Sequence, residues 1–507
     1  MATAPASSIP GPKTQTRVVK TGIGGLDDVM SGGLRANRLY LVEGIPGSGK
    51  TTLALQFLLD GVAAKEPVLY ISLSESLEEI QEVADSHGWC LDGMTIRELI
   101  PSENTLHPEE QYTMFHPADV ELSETTKTIL HDVEQIRPAR VVLDSLSELR
   151  LLAGSPLRYR RQILALKQFF VGRQCTVILL DDLTAEGRDL QVQSIAHGVL
   201  LLEQLNPEYG AERRRLRMIK FRGVKFRGGY HDYTIDRGGL TVFPRLVAAE
   251  HRQDKALSQL SSGLPPLDAL LGGGIERGTS TMIVGPPGTG KSTIAAQFAY
   301  AAALRGEKSA LFVFDESRNT LISRVSGLGI DLAGQIDAGK ILIQQVDPAE
   351  LSPGEFTHAI RRVVDEEQVS IVVIDSLNGY LAAMPSERYL VVQLHELLNY
   401  LGQKNVATLL IGAHQGLIGL QMNAPVDASY LADAVLLLRY FEYRGEIQQA
   451  ISVVKKRGGQ HERTIREFSM SSGRIWIGEP LREFRGVLTG IPSHDGSPDT
   501  LQRADPK

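Results

Sequence analysis

Two lysines in this sequence lie inside glycine-rich segments of the same form. Lys50 belongs to Gly44–Thr51 and Lys291 to Gly285–Ser292, and both segments fit G-x-x-x-x-G-K-[S/T]. The glycines allow the backbone to curl so that successive N–H groups point at phosphate oxygens. The following helix adds the positive end of its dipole, and the lysine reaches the terminal phosphates. Because each segment follows an apolar strand pattern and precedes a helical one, both predict a phosphate-binding loop.

The predicted nucleotide-binding residues are the loop positions and the start of the helix that follows. They are Gly47, Ser48, Gly49, Lys50, Thr51 and Thr52 in the first copy, and Gly288, Thr289, Gly290, Lys291, Ser292 and Thr293 in the second. The Thr51 and Ser292 hydroxyls are predicted ligands of Mg²⁺. Asp144 and Asp375 each end a short apolar strand pattern, which is the Walker B pattern of P-loop ATPases, and are predicted to hold the Mg²⁺ hydration shell. We therefore predict ATP and Mg²⁺ as cofactors.

Further acids identify the class of ATPase. Many families place a glutamate directly after the strand-end aspartate, but this sequence has Ser145 and Ser376 there. Acidic residues instead end the strand that follows the loop helix, namely Glu75 in the first copy and Asp315 and Glu316 in the second. A water-activating carboxylate at that place is typical of RecA-type ATPases, so we predict these three as catalytic. The alternative is that they cap the next helix.

A pair of cations recurs late in each copy. Lys220 and Arg222 precede a glycine in the first copy, and Lys455 and Arg457 precede one in the second, with His461 further on. Residues two apart on a strand point to one face. Such pairs are ordinarily solvated surface, but their recurrence favours a contact with nucleotide. In a ring, this edge would reach the neighbouring subunit's nucleotide and stabilise charge on its γ-phosphate.

The order of these motifs reveals a duplicated domain. Lys50 and Glu75 match Lys291 and Glu316 at one spacing along the chain. Within each copy, short apolar runs alternate with longer amphipathic segments, which predicts a mostly parallel sheet with helices on both faces. The fold class is therefore α/β, with two tandem RecA-like P-loop ATPase domains whose ligands bind at the carboxyl ends of the strands.

Composition shifts divide the chain into four predicted segments. Residues 1–14 form a flexible tail, 15–247 the first ATPase domain, 248–486 the second, and 487–507 a C-terminal loop with a disordered tail.

Overall composition is that of a soluble globular protein. The 507 residues are 42% hydrophobic and 22% charged, and the net charge of −7 gives no support to nucleic acid as a partner. No apolar run has the length of about 18 residues that spans a membrane, so we expect no membrane association. The N-terminus lacks an apolar signal core, and Cys90 and Cys175 form no C-x-x-C pair. A cytoplasmic location is therefore expected.

Taken together, these motifs resemble the KaiC family, the double-domain RecA-like ATPases of the cyanobacterial clock and their bacterial relatives. The resemblance covers residues 15–492 and rests on both loops, the acidic strand ends, the strand-end aspartates and the Lys-x-Arg-Gly edges. It implies a homo-hexamer of stacked rings with ATP between subunits, and a protein signalling partner. It also implies ATP hydrolysis in the first domain and serine/threonine autophosphorylation in the second.

The sequence departs from the family pattern at two places. Ser74 replaces the first acid of the family's acidic pair in the first copy, which puts hydrolysis there in doubt. In the phosphorylation segment Ser429 takes the family's serine position, while Tyr430 replaces the adjacent threonine. We predict Ser429 as the phosphorylation site and expect no two-site cycle. The alternative is that Ser429 is a small interface residue without chemistry.

The leading function is thus an ATP-hydrolysing signalling ATPase that is also a serine autokinase. One alternative is a nucleotide-gated scaffold with little turnover. Another is a RecA-type DNA-dependent ATPase, which would need basic loops facing a pore. The conspicuous basic run, Arg213–Arg217, precedes the Lys220 strand, and a role at the nucleotide edge is simpler.

Overall fold

The chain divides into two compact units, Met1–Arg245 and Leu246–Lys507, in the computed structural model. The residues that the structure describes are 17–99, 117–183, 190–207, 210–251, 258–382, 389–413, 430–471, 473–489 and 493–494. The predicted tail at 1–14 and most of the predicted C-terminal segment at 487–507 lie outside them. No helix in the described part of the chain is both long and apolar enough to cross a membrane.

The first unit contains a nine-stranded sheet, and the first two strands of the unit form a separate two-stranded sheet. Its strands are β1 (Val18–Val19), β2 (Leu34–Arg35), β3 (Leu39–Gly44), β4 (Val68–Ser72), β5 (Thr95–Glu98), β6 (Arg140–Asp144), β7 (Thr176–Asp182), β8 (Gly198–Leu205), β9 (Arg213–Phe221), β10 (His231–Asp236) and β11 (Gly239–Phe243). Its helices are α1 (Gly24–Val29), α2 (Lys50–Ala63), α3 (Leu77–His87), α4 (Pro117–Ile136), α5 (Leu146–Ala153), α6 (Pro156–Gly172) and α7 (Leu190–Ile195). The strand order across the sheet is β5-β4-β6-β7-β3-β8-β9-β10-β11.

The second unit repeats this plan. Its strands are β12 (Gln259–Leu260), β13 (Ile275–Glu276), β14 (Ser280–Gly285), β15 (Ser309–Val313), β16 (Ile341–Gln345), β17 (Ile371–Asp375), β18 (Ala407–Ala413), β19 (Ala434–Tyr443), β20 (Glu446–Lys456), β21 (Arg466–Ser471), β22 (Arg474–Pro480), β23 (Phe484–Arg485) and β24 (Ser493–His494). Its helices are α8 (Pro265–Leu270), α9 (Lys291–Leu304), α10 (Arg318–Ser326), α11 (Leu332–Asp337), α12 (Pro353–Glu367), α13 (Leu377–Ala382) and α14 (Leu390–Gln403), with 3₁₀ turns at Ala248–His251 and Val487–Thr489. The strand order is β16-β15-β17-β18-β14-β19-β20-β21-β22.

The two sheets therefore follow the same path. In each, the run from the outer strand to β8 or β19 is parallel, and the strands beyond it are antiparallel. Helices alternate with the parallel strands, as crossover connections require. The predicted fold class, two tandem RecA-like α/β domains, is confirmed.

The central strands of each sheet are buried on both faces and are largely apolar. In β3, Leu39 and Leu41 belong to one hydrophobic core, while Tyr40 and Val42 belong to the core on the opposite face. Strand side chains alternate between faces, so a strand between two helical layers has no polar side. The polar residues are consequently found at the strand ends, where the loops begin.

Both phosphate-loop candidates lie between a central strand and the helix that follows. β14 ends at Gly285 and α9 begins at Lys291, and the helix is preceded by Gly290 with φ of 91°. A side-chain Cβ on Gly290 would lie 2.6 Å from the sulfur of Met470. Glycine is needed there for its left-handed backbone and for the close approach of β21.

Candidate active sites

A cavity of about 760 Å³ opens above the carboxyl ends of the second unit's central strands. Lys291 and Ser292 at the start of α9 line it, together with Asp375 at the end of β17. Asp315 and Glu316, which follow β15, line it as well. The structure thus brings the predicted loop, metal and acidic residues of the second copy to one place.

Lys291 and Ser292 each have a hydrogen-bond partner near the end of a strand, Lys291 just beyond β14 and Ser292 at the end of β17. Nζ of Lys291 donates to the carbonyl of Pro286 at 2.8 Å, and burial lowers the pKa of this lysine. Burial raises the pKa of Asp375 to about 6, a rise that the hydrogen bond from Ser292 opposes and neighbouring carboxylates increase. A dipositive ion here would favour the charged carboxylate, because an opposite charge counters the effect of burial.

The two acids after β15 have different partners. Asp315 accepts a hydrogen bond from the hydroxyl of Ser376. Glu316 forms an ion pair with Arg324 of α10 at 2.6 Å, and Arg324 also donates to the hydroxyl of Thr293 at 2.7 Å. The guanidinium therefore ties the Glu316 carboxylate to the first turn of the loop helix.

The alternative that these acids cap the next helix is wrong. The N-cap of α3 is Ser76, whose hydroxyl accepts from the N–H of Glu79, and the N-cap of α10 is Ser317. Glu75 and Glu316 each stand one residue before the cap. Since the serine hydroxyls already accept hydrogen bonds from the N–H groups of the first helical turn, the carboxylates of Glu75 and Glu316 are not needed as caps.

The first unit brings its loop together with an extra carboxylate. Nζ of Lys50 donates to the carbonyl of Gly44 and forms an ion pair of 2.7 Å with Asp182, at the end of β7. The hydroxyl of Thr51 donates to Asp144 at 3.2 Å. The Thr51–Asp144 pair thus matches the Ser292–Asp375 pair of the second unit, whereas the Lys50–Asp182 ion pair has no equivalent among the described residues of the second unit.

Burial dominates the electrostatics of the first site. Asp144 accepts a 2.6 Å hydrogen bond from Tyr70, and burial raises the pKa of Asp144 although the bonds from Tyr70 and Thr51 oppose the rise. Burial, and next the Asp144 charge, raises the pKa of Glu75 to about 7. Oε2 of Glu75 is buried and has no hydrogen-bond partner among the described residues. This acid is therefore poised to bind or release a proton near neutral pH.

The remaining predicted loop residues occupy equivalent positions in the two units. Gly47 and Gly288 have φ of 82° and 81°, which places both in the left-handed region. Ser48 and Thr289 are fully buried, and the Thr289 hydroxyl donates to a loop carbonyl. Gly49 precedes α2, and Thr52 lies in its first turn beside His87.

The donor set of each site suits Mg²⁺. Among the described residues no group of three or more His, Cys, Asp or Glu side chains could hold a metal ion. Each site instead offers one hydroxyl and one carboxylate, Thr51 with Asp144 and Ser292 with Asp375. Mg²⁺ commonly takes one or two protein oxygens and completes its shell with phosphates and water.

Comparison with known proteins gives one consistent result. A family model described as "ATPase: KaiC" matches residues 19–247 and 260–482. The circadian clock oscillator protein KaiC of a Picosynechococcus strain is 28% identical over 96% of this chain and 95% of its own length. KaiC of Thermostichus vulcanus is 28% identical over 94% of this chain and 92% of its own, and the circadian clock protein KaiC3 of a Synechocystis strain is 25% identical over 94% of both.

This chain belongs to the KaiC ATPase family. The predicted family is therefore confirmed, and both halves of the chain are KaiC-family ATPase domains. Membership of this ATPase family implies that the domains bind nucleotide.

The predicted cationic edges of these KaiC-family domains lie away from the loops of their own units. Lys220 pairs with Val199 near the start of β8, and Lys455 pairs with Val435 near the start of β19. The phosphate loops are at the opposite, carboxyl ends of the parallel strands. The structure does not bring these lysines to the nucleotide loop of the same unit.

The arginine of each pair lies one residue beyond its strand, because β9 ends at Phe221 and β20 at Lys456. Arg222 donates to the carbonyl of Ser194, and Arg457 to the carbonyl of Tyr430. The two lysines also donate to main-chain carbonyls, Lys220 to Gln193 and Lys455 to Ala432. His461 lies in the loop after β20. The predicted phosphorylation site, Ser429, is outside the described residues.

The sequence motifs did not predict three side chains that lie at the two candidate sites: Asp182, Arg324 and Tyr70. Asp182 and Tyr70 lie on strands that are distant in sequence from the residues they contact, whereas Arg324 lies eight residues after Glu316. A signal was nevertheless present, because the matching positions of the other copy, Ala413, Val83 and Leu311, hold apolar residues. Polar residues found in one copy only could have been identified by aligning the repeat.

Proposed function

We propose that this protein is an ATP-binding and ATP-hydrolysing KaiC-like signalling protein that forms nucleotide-bridged hexameric double rings and phosphorylates its own Ser429. The observation that carries the proposal is the convergence in the second unit's cavity of Lys291, the Ser292–Asp375 pair and the acids Asp315 and Glu316. These are the groups that phosphoryl transfer from ATP requires.

Binding would use the loop and the strand end. Lys291 would neutralise the β- and γ-phosphates, and Ser292 and Asp375 would hold Mg²⁺ with its water shell. When bound, Mg²⁺ supplies positive charge against the charge that develops on the transferring group. The protein contributes the fixed positions of these side chains, which pack against a buried strand and the first turn of α9.

Glu316 would accept the proton of the attacking group. A water or a serine hydroxyl is a weak nucleophile near neutral pH and needs a carboxylate within hydrogen-bonding reach. The ion pair with Arg324 keeps the Glu316 side chain in one orientation against α9. The same carboxylate would serve hydrolysis and autophosphorylation, which differ only in the nucleophile.

Ring assembly is supported by the cationic edges. Lys220 with Arg222 and Lys455 with Arg457 lie at the end of each sheet opposite its own loop. In a head-to-tail ring, the loop of one subunit faces the opposite end of the next. These cations would then stabilise charge on the neighbour's nucleotide, and we assign His461 to the same edge.

Autophosphorylation at Ser429 is supported by its neighbour in sequence. Tyr430 directly follows Ser429, is 57% exposed, and accepts a hydrogen bond through its carbonyl from Arg457. The chain at this point thus belongs to the edge that would meet the next subunit. Transfer would occur between subunits, from the ATP of one to the serine of another.

The test is site-resolved mass spectrometry of the full-length protein after incubation with Mg-ATP, run beside an ATP hydrolysis assay. We expect phosphate on Ser429 in the wild type and none in Lys291→Ala rings. In mixed rings, Ser429→Ala subunits should restore the phosphate on Lys291→Ala subunits. Hydrolysis without any phosphate on Ser429 would remove the autokinase half of the proposal and leave the ATPase half.

Ring formation is tested by sedimentation with and without Mg-ATP. We expect nucleotide to favour a hexamer, and replacement of Lys455 and Arg457 by alanine to weaken it. A wild-type protein that binds ATP and stays monomeric would contradict the ring proposal.

A nucleotide-gated scaffold with little turnover is the second candidate, and the first unit favours it. There Lys50 is paired with Asp182, and Ser74 stands where the family has an acid. A DNA-dependent ATPase has no comparable support. Arg214 and Arg215 of the basic run are paired with Glu212 and Glu203.

A further inference from the structure

The ion pair between Lys50 and Asp182 joins the phosphate-binding lysine of the first unit to a fixed negative charge. The distance between Nζ and Oδ1 is 2.7 Å. The lysine side chain is only 8% exposed and that of Asp182 is 30% exposed. A short, partly buried ion pair of this kind interacts more strongly than a fully exposed one, because solvent screens its charges less.

The second unit has the same backbone at this place without the carboxylate. Asp182 is the β7 partner of Gly44 in β3, and Ala413 is the β18 partner of Gly285 in β14. Among the described residues, no carboxylate lies within ion-pair distance of Lys291 Nζ. At this one pair of matched positions, beside the loop lysine, the first site has a carboxylate that the second lacks.

Asp182 has no other cation to neutralise it among the described residues. The hydroxyl of Ser147 contacts its second oxygen at 3.3 Å, whereas the nearby guanidinium of Arg150 pairs with Asp181 instead. A phosphate bound at this loop would compete with Asp182 for Lys50. It would also be repelled by the carboxylate, since like charges a few ångströms apart oppose each other.

We propose that Asp182 sets the nucleotide preference of the first site, shifting it away from the triphosphate and toward the diphosphate relative to the second site. The inference rests on the proposed function, because it assumes that both loops bind nucleotide. The terminal phosphate of ATP carries the additional negative charge, and it is a group that the loop lysine contacts. The charge of Asp182 therefore weakens ATP binding more than ADP binding.

The test measures binding to one site at a time in the full chain. With Lys291→Ala present, fluorescently labelled ADP and a non-hydrolysable ATP analogue with Mg²⁺ are titrated against the first site. Asp182→Asn removes the charge and keeps the shape of the side chain. We expect the ratio of the ATP-analogue Kd to the ADP Kd to fall on the order of tenfold. The matched control is Asp181→Asn, one residue away, for which no change in the ratio is expected.

The reciprocal variant places the carboxylate in the second unit. With Lys50→Ala present, Ala413→Asp should raise the same ratio by a similar factor. Thermal unfolding of each variant shows that the units are folded, and an Asp182→Asn protein that does not fold leaves Ala413→Asp to decide the question.

The outcomes separate the two proposals. An unchanged or raised ratio in Asp182→Asn, with both nucleotides bound, overturns this inference alone; a raised ratio would mean that Asp182 assists ATP binding. If neither single-site background binds any nucleotide, the proposed function fails and this inference fails with it.

Discussion

The two candidate sites share one backbone and surround it with different charges. In the first, Lys50 faces Asp182, Asp144 accepts from Tyr70, and the half-buried Glu75 has a buried oxygen that lacks a partner among the described residues. In the second, the lysine faces no such carboxylate, and Glu316 is paired with Arg324. Duplication has preserved the loop and changed the electrostatics around it.

This difference teaches that the loop motif alone does not determine what a site does. We expect both copies to bind phosphate, because the glycine turn and the helix terminus are the same. Within the described residues, only the second has its proposed catalytic acid paired with a cation and a loop lysine without a carboxylate ion-pair partner. We therefore expect turnover mainly in the second unit and a regulatory or assembly role in the first.

The largest expected effect is the loss of turnover when the second loop lysine is removed. Lys291→Ala should reduce steady-state ATP hydrolysis on the order of a hundredfold, because the charge on the transferring phosphoryl group loses a fixed cation. Lys50→Ala, its matched control in the other copy, should reduce hydrolysis less and mainly impair assembly, as measured by sedimentation. Equal residual turnover with normal assembly in both variants would remove the asymmetry.

Much of this comparison was accessible from sequence, because the loop and the aspartate strands are local patterns. A strand–loop–helix segment predicts its own geometry, so Lys50, Thr51, Lys291 and Ser292 lie where expected. The fold class follows from the alternation of buried strands and helices. These features depend on residues close together in the chain.

The Lys50–Asp182 contact depends on which strands become neighbours, because β7 lies beside β3 in the sheet. No local sequence pattern predicts that adjacency. The Arg324–Glu316 contact is local by comparison, since the two residues are eight apart and Arg324 lies in the helix that follows Glu316. The Lys-x-Arg pairs show the same limit, since the strand was expected to include both cations and ends before the arginine.

The next largest effect is expected when Arg324 is replaced, because its loss would make the second site resemble the first. Arg324→Met keeps much of the apolar stem but releases the Glu316 carboxylate, as in the first copy, where Val83 holds this position. We expect kcat to fall roughly 10- to 100-fold, because a misplaced base loses much of its effect, with little change in nucleotide affinity. Kinetics and nucleotide titration together provide the measurement.

Arg324→Lys is the matched control, and partial recovery of kcat is expected because the positive charge is kept. A fall in affinity with kcat unchanged would show that Arg324 contacts the nucleotide and does not position the base.

The pH dependence of the first site gives a smaller effect. Its proposed base, Glu75, has a pKa raised to about 7, chiefly by burial, so it is mostly protonated below that pH and then cannot accept a proton. Residual hydrolysis in Lys291→Ala should therefore rise about tenfold from pH 6 to pH 8. Glu75→Gln in the same background should lose this rise. A flat profile with Glu75 intact would exclude this residue as the base.

The smallest expected effect concerns the helix caps that follow the two acids. Ser76 forms a full capping box with Glu79 at the start of α3, whereas Ser317 has Thr320 at the matching position of α10. Ser76→Ala removes one bond of a reciprocal pair, so it should destabilise the start of α3 by about 1 kcal/mol, and by more than Ser317→Ala destabilises α10. Hydrogen exchange at the first amides of each helix measures this locally, which matters because a chain of two units need not unfold in a single step.

Ser86→Ala is the matched control for the cap, since Ser86 lies in the same helix and its hydroxyl donates to the carbonyl of Val83 in the last turn. It should leave exchange at the start of α3 unchanged. Because Glu75 immediately precedes the cap, a loosened α3 should also lower the residual turnover of the first site in the Lys291→Ala background. Faster exchange with unaltered turnover would mean that the cap stabilises the helix without positioning the acid.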